Sequence, residues 1–478
     1  MHVLARATAG LCTALALAAA VATSAAATVS PTLAESGSTL AVEQFGIAMS
    51  TEGERSALAY AGVVTGSRRR EMKLRARVGR GRTFGASRLL ESLRRASGTR
   101  AQISITDLKV AVSPDGRAVA AWIATTFSSD FSHARRRLRV AAAAPRGQFG
   151  AARTVLTTAR PLDIDALVAG RGGLIVLALQ RSDAVEVLVL RDGGRFRAPQ
   201  RIGTSTIFAA PPTLALASRG LVVAAWSPAF DSAAQAAVLP TGGLRFLGAR
   251  PVSPPGQPTS YARAVAGPGG AGVVWSSGSS SGPPSATGSV GFARLRRDAS
   301  ALAAPETVAA VRISGAPSGA ITRRGLATVW RHYIDETVPG DSDFFVNSRV
   351  AATASWTGDV APRRLSEPPA SAFRPVIAAL GDRALVAWRE APAYALGFAI
   401  RLAVAGPDGW LPTVDLRPGG GSDVQTRPST GISDDERPSG ADLQITAGRD
   451  GALLAWLTST TTSDGERVGR LRVASYRP

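Results

Sequence analysis

From Phe45 to Trp456 short apolar runs alternate with turn-forming residues, and one arrangement recurs about eight times. An extended apolar run meets a Gly-containing turn, and a second apolar run follows that ends in an aromatic. The clearest copy is VAVSPDGRAVAAW, Val110 to Trp122; related copies end at Tyr60, Leu179, Trp226, Trp275, Trp330, Trp388 and Trp456. Runs this short, rich in Ala and Val and bounded by turn signals, read as buried strands rather than helices. A fixed recurrence at this length signals a repeat architecture.

Each copy divides into four strands, A to D. In the second copy, strand A is Leu108 to Val112, and Ser113-Pro114-Asp115-Gly116 turns the chain, with Gly supplying the positive backbone angle of a tight hairpin. Strand B is Ala118 to Ile123. Strand C, Arg136 to Ala143, partly alternates Arg with apolar residues, as a half-exposed strand does. Strand D is expected within Gly147 to Leu156, and elsewhere around Phe84, Phe196, Phe246, Trp356 and Trp410. Four antiparallel strands per unit form a propeller blade, so the expected fold is an all-β β-propeller of eight blades. Seven is the alternative, because the first and third units (Tyr60 and Leu179) are degenerate. The last unit stops after strand C, and the segment Thr28 to Val42 is expected to close the ring by pairing there.

The SPDG turn before an Ala/Val-rich strand resembles the WD40-like propeller repeats of exported bacterial proteins, the kind found in the TolB family. Ser113-Pro114-Asp115-Gly116 is the one full match; other copies keep only Gly, as in Arg449-Asp450-Gly451. The resemblance implies a fold and carries over no functional residue.

The N-terminus changes the picture of where the chain works. His2 and Arg6 precede an Ala/Leu-rich stretch, Ala7 to Val21, and then small residues Ser24 to Ala27. This is the layout of a secretory signal peptide, residues 1–27, cleaved after Ala27 or Ala26, with a retained membrane anchor as the alternative. A flexible mature N-terminus (28–37) and a single propeller domain (38–478) follow, and a secreted or envelope location is expected. Cys12, the only cysteine, falls inside the leader, so no disulfide or cysteine-bound metal is expected.

Net charge is +20, nearly all from Arg, with Lys73 and Lys109 the only lysines. An exported protein with that charge points away from nucleic acid. An extracellular polyanion, a cell-wall glycan or a protein is the expected partner, and the chain is expected to be a monomer.

Candidate chemistry is sparse. There is no HExxH or phosphate loop, and past the leader the only histidines are His133 and His332, placed between strands B and C of units two and six. No cofactor and no metal are expected. In a propeller, strand A lines the central channel, and the positions near its start are Gln44, Asp107, Asp165 and Asp442 on one side of the ring, with Arg263 and Arg374 elsewhere. Such a polarised mouth suits a sugar or a peptide. Two long loops, Ile334 to Phe344 (Asp335, Glu336, Asp341, Asp343) and Arg417 to Ala441 (Asp434, Asp435, Glu436), open on the same face, which also holds His332. Two functions remain open: a non-enzymatic binder of a polymer or partner through this face, or a glycan hydrolase or lyase using mouth carboxylates as acid and base. A third reading, packing in an envelope assembly, asks nothing of the mouth.

Overall fold

The computed structural model describes residues 40–477, except 53, 65–70, 82, 96–101, 131, 192, 207–210, 218–219, 230–231, 278–287, 297–301, 312–315, 334–349, 357–361, 367–370, 392–398, 407–408, 417–442, 450 and 462–466. The leader and the segment 28–37 lie outside the described residues. No helix among those described is long and apolar enough to cross a membrane.

Eight antiparallel sheets follow one another along the chain, each built from consecutive strands. The inner strands A are Leu40–Met49, Ile103–Val112, Asp163–Ala169, Thr213–Leu216, Thr259–Gly267, Ser318–Ile321, Ser371–Leu380 and Leu443–Ala447. Each touches the inner strand of the next blade, and that of blade 8 touches that of blade 1, so together they ring a central channel. The fold is an eight-bladed β-propeller. Units one and three are full blades, which removes the seven-blade alternative.

Turn chemistry sets each inner hairpin. In blade 2, Gly116 takes a φ of 85°, its N–H donates to Ser113 O at 2.9 Å, and Arg117 N–H donates to Ser113 Oγ at 2.9 Å. Blades 6 and 8 close the same hairpin through Thr322 N–H to Gly325 O and Gly448 N–H to Gly451 O, both 2.8 Å.

The core lies between blades, which explains the small residues of strand B. In Ala118–Phe127, Ala118, Ala120, Trp122 and Ala124 pack against blade 1, whereas Val119, Ala121 and Ile123 pack against blade 3. Alternation along a strand buried on both faces demands this. The recurrent aromatic slot always faces the preceding blade: Trp226 packs on blade 3, Trp275 on blade 4, Trp388 on blade 6 and Trp456 on blade 7. Leu179 does the same against blade 2, and Tyr60 against blade 8.

Across the B–C ladder the slot often meets Arg. Tyr60 pairs with Arg75, Trp122 with Arg139, Trp388 with Arg401 and Trp456 with Arg472. Part of the arginine excess is therefore blade construction.

Ring closure is expected from Thr28 to Val42, of which residues 28–39 lie outside the described residues. The last blade contributes three strands among the described residues, Leu443–Ala447, Ala452–Thr461 and Arg467–Tyr476. Of that segment, Leu40 to Val42 pair with Val64 to Gly62 of blade 1. Blades 8 and 1 join by packing and side-chain bonds. Phe45 and Ile47 meet Leu453 and Val473 in one apolar cluster, Gln444 Oε1 accepts from Ile47 N–H at 3.1 Å, and Gln444 Nε2 donates to Phe45 O at 3.0 Å.

The outer strands were the least legible. Phe196 and Phe246 precede strand D (Gln200–Thr204 and Arg250–Pro251), and Phe84 lies in the two-residue strand Thr83–Phe84 ahead of Arg88–Arg94. Phe246 is a buried plug rather than a ladder residue, and Phe149 is buried with a single bridge to Ala143. Trp356 ends strand C of blade 6, paired with Ala327. Apolar side chains at a rim point inward whether or not their backbone joins a sheet, so the aromatics mark rim plugs as readily as strands.

Candidate functional site

Strand A is broken by a β-bulge in five blades. The register slips between Val42 and Gln44, Thr106 and Lys109, Ile164 and Ala166, Thr259 and Tyr261, and Phe373 and Val376. A bulge adds unpaired residues and re-aims their side chains. Three of the six mouth positions named from sequence are bulge residues: Asp107, Asp165 and Arg374. Gln44 follows a bulge directly, while Arg263 lies further along its strand, opposite Val274. Arg374 is described by its strand position only. Asp442 lies outside the described residues, as do Asp335, Glu336, Asp341, Asp343, Asp434, Asp435 and Glu436.

Asp107 is the most unusual of these residues. Its backbone takes a left-handed φ of 55° and its side chain is 6% exposed. Asp tolerates this conformation better than most residues, and an outlier held in a packed ring points to a constraint other than strand formation. Burial raises its carboxyl to about 6; Lys109 pulls the other way, Asp163 adds to the rise, and a hydrogen bond from Thr106 opposes it. Asp165, one blade on, is driven well above the usual carboxylate range, first by burial and then by Asp163 and Asp107, against Lys109. Its Oδ2 is sealed from solvent and accepts no hydrogen bond from a described residue. The half-buried Lys109 is the ammonium common to both carboxyls.

Lys109 was missed as a site residue, although it is one of only two lysines and alternates with Asp107 along strand A. That pairing was the available signal.

The polar positions on the rest of the ring mostly tie blades together. Gln44 Oε1 accepts from Leu108 N–H of blade 2 at 3.4 Å, and Thr213 Oγ1 accepts from Ala264 N–H of blade 5 at 2.7 Å. Arg263 Nη1 donates to Ser318 Oγ of blade 6 at 2.8 Å, and burial lowers the pKa of its guanidinium. The inner ring thus carries a carboxyl-rich sector at blades 2 and 3 and an arginine on its other half, at the junction of blades 5 and 6.

The two histidines are apart. His133 sits in the exposed B–C loop of blade 2, its Nδ1 2.6 Å from Ser132 Oγ. His332 lies within strand B of blade 6, Leu326–Tyr333, paired with Ala351, not in the loop after it as expected. Among the described residues no group of three or more His, Cys, Asp or Glu has the arrangement of a metal site.

Carboxyls whose pKa burial raises, as at Asp107 and Asp165, donate as well as accept hydrogen bonds when protonated. Beside one ammonium they offer a compact polar surface for hydroxyl, amide or amine groups.

No family model matches the sequence, and no curated protein sequence matches it either. Solved structures do. The β-propeller domain of the trilobed protease from Pyrococcus furiosus is 9% identical, over 80% of this chain and 97% of that one, with a TM-score of 0.40. NanB sialidase from Streptococcus pneumoniae is 7% identical over 77% of this chain and 68% of that one, at 0.41. A TolB protein from Agrobacterium tumefaciens is 12% identical over 68% and 94%, at 0.32. These neighbours span unlike activities, and the architecture rests on the chain's own strand pairing.

Proposed function

We propose that this chain is an exported, non-enzymatic propeller that binds an extracellular polymer or a protein partner at the face where its strand A bulges open the ring. The carrying observation is the half-buried Asp165, whose Oδ2 accepts no hydrogen bond from a described residue, beside Asp107 and Lys109 on the neighbouring inner strand. A buried polar atom lacking a partner costs about 1–3 kcal/mol, which a ligand N–H or O–H recovers. Arg263, on the far half of the ring, gives the site a direction. Arg-rich strands add long-range attraction for anionic polymers.

The test is retention of the protein, with its leader removed, on an array of glycans, cell-wall polymers and peptides. Asp165→Asn and Arg374→Ala are expected to lose at least tenfold in affinity for the retained ligand. Equal retention of wild type and both variants removes the mouth from the reading.

One observation favours a second reading. A carboxyl raised to about 6 next to another titrating carboxyl is the pattern of an acid–base pair in glycan cleavage. Binding is preferred because it can engage the half-buried Asp165 alone, whereas acid–base cleavage requires a glycosidic oxygen to touch Asp107, which is 6% exposed. New reducing ends or unsaturated products from any retained glycan, abolished by Asp107→Asn, would establish the enzyme instead.

A further inference from the structure

The outer rim holds a second feature, remote in the fold from the channel. A trough of about 570 Å³ runs between the outer edge of blade 4 and the segment leading into the outer strand of blade 5. Its volume falls within the range of small-molecule sites. The walls are apolar: Val238, Leu247 and Val252 on one side, Leu302, Ala303 and Pro305 on the other. Leu247 is 48% exposed, among the most exposed large apolar side chains of the described residues.

Part of the wall backbone is already engaged. Leu247 N–H donates to Val238 O at 2.8 Å, Val252 N–H to Ala234 O at 2.8 Å, and Ala303 N–H to Arg294 O at 2.6 Å. The one buried hydroxyl, Ser253 Oγ, accepts from Ala234 N–H at 3.1 Å. These groups are spent within the fold, and the walls offer an occupant mainly apolar side chains. Prolines at 251, 254, 255 and 305 stiffen the walls, which lowers the entropy lost on filling them. At the rim stands Arg250, exposed and without an ion-pair partner among the described residues. In a chain with 20 excess positive charges, that guanidinium has few carboxylates to meet. An apolar trough with one unengaged guanidinium at its rim complements a molecule with an alkyl chain and one anionic head.

We propose that this trough binds a medium-length acyl carboxylate as a free molecule, its chain along the apolar walls and its carboxylate on Arg250. Calorimetric titration of the leaderless protein with octanoate, decanoate and dodecanoate, below their aggregation concentrations, tests it. One molecule binds per chain, and affinity rises about fourfold per added methylene. Arg250→Glu weakens dodecanoate at least tenfold and leaves a neutral dodecyl glycoside unchanged. Ala303→Trp, which fills the trough, abolishes both without lowering the melting temperature; should it lower it, the exposed Leu247→Asp decides. The proposal is overturned by the absence of dodecanoate binding, by binding that survives Leu247→Asp, or by indifference to Arg250→Glu. Capture of wild type but not Leu247→Asp by phosphatidylglycerol vesicles, with no uptake of free dodecanoate, assigns the trough to a bilayer and equally overturns it.

Discussion

Arg139 of blade 2 meets Glu91 of blade 1 at 3.4 Å from the position directly across the ladder from Trp122. One residue pair thus joins two blades, one cross-strand step from the buried Trp122. Both side chains are largely enclosed, 18% and 9% exposed, so removing one strands the other's charge. Glu91→Ala is expected to cost roughly 3 kcal/mol in urea unfolding, while the double change Glu91→Leu with Arg139→Met is near neutral. A double variant as unstable as the sum of the two single ones would show that the pair is not coupled.

Asp107 makes a pH prediction whose sign follows from its raised carboxyl. Ionisation is harder in the folded chain than in the unfolded one, so stability is full below the ordinary value near 3.8 and falls as pH rises through about 6. Asp107→Asn removes that loss and tolerates the left-handed φ of 55°. At pH 8 the variant is expected to be more stable by on the order of 3 kcal/mol, and at pH 3.5 nearly equal. A gap of the same size at both values, in paired thermal melts, would refute this account.

The indole slots differ in one hydrogen bond. Trp388 Nε1 donates to Glu390 Oε2 at 3.1 Å, and Glu390 is held by Arg401 at 3.0 Å. Trp226 Nε1 is buried and donates to no described residue. Trp388→Phe therefore loses a charge-assisted bond that Trp226→Phe does not, and is expected to cost about 1–2 kcal/mol more. Comparable costs in denaturant midpoints would mean that the Trp388 bond contributes nothing.

Glycine is required where an indole lies against backbone. A Cβ on Gly291 would sit 2.3 Å from Trp275 Cε2, and one on Gly203 would sit 2.4 Å from Trp226 Cζ2. Gly291→Ala and Gly203→Ala are each expected to destabilise by about 2–3 kcal/mol, whereas Gly406→Ala, which meets nothing within 4 Å, changes stability by under about 1 kcal/mol. A neutral Gly291→Ala would mean that the Trp275 indole has room to shift.

Strand alternation, the Gly turns and the aromatic slot were legible because each depends on residues within about a dozen positions of one another. They specified four-stranded units, and their count specified the ring. Leu179 shows why the slot survives substitution: what it needs is an apolar side chain reaching the preceding blade, and Leu meets that need. Phe246 misled because a rim aromatic is buried both in a ladder and beside one.

What the chain decides alone is local: where strands begin and turn, and which side chains leave water. Tertiary structure decides the rest. Asp107 and Asp165 belong to different repeats, and nothing near either in sequence says that packed inner strands would seal both carboxyls around Lys109. Burial and charge act through space, so their effect exists only once the ring has closed.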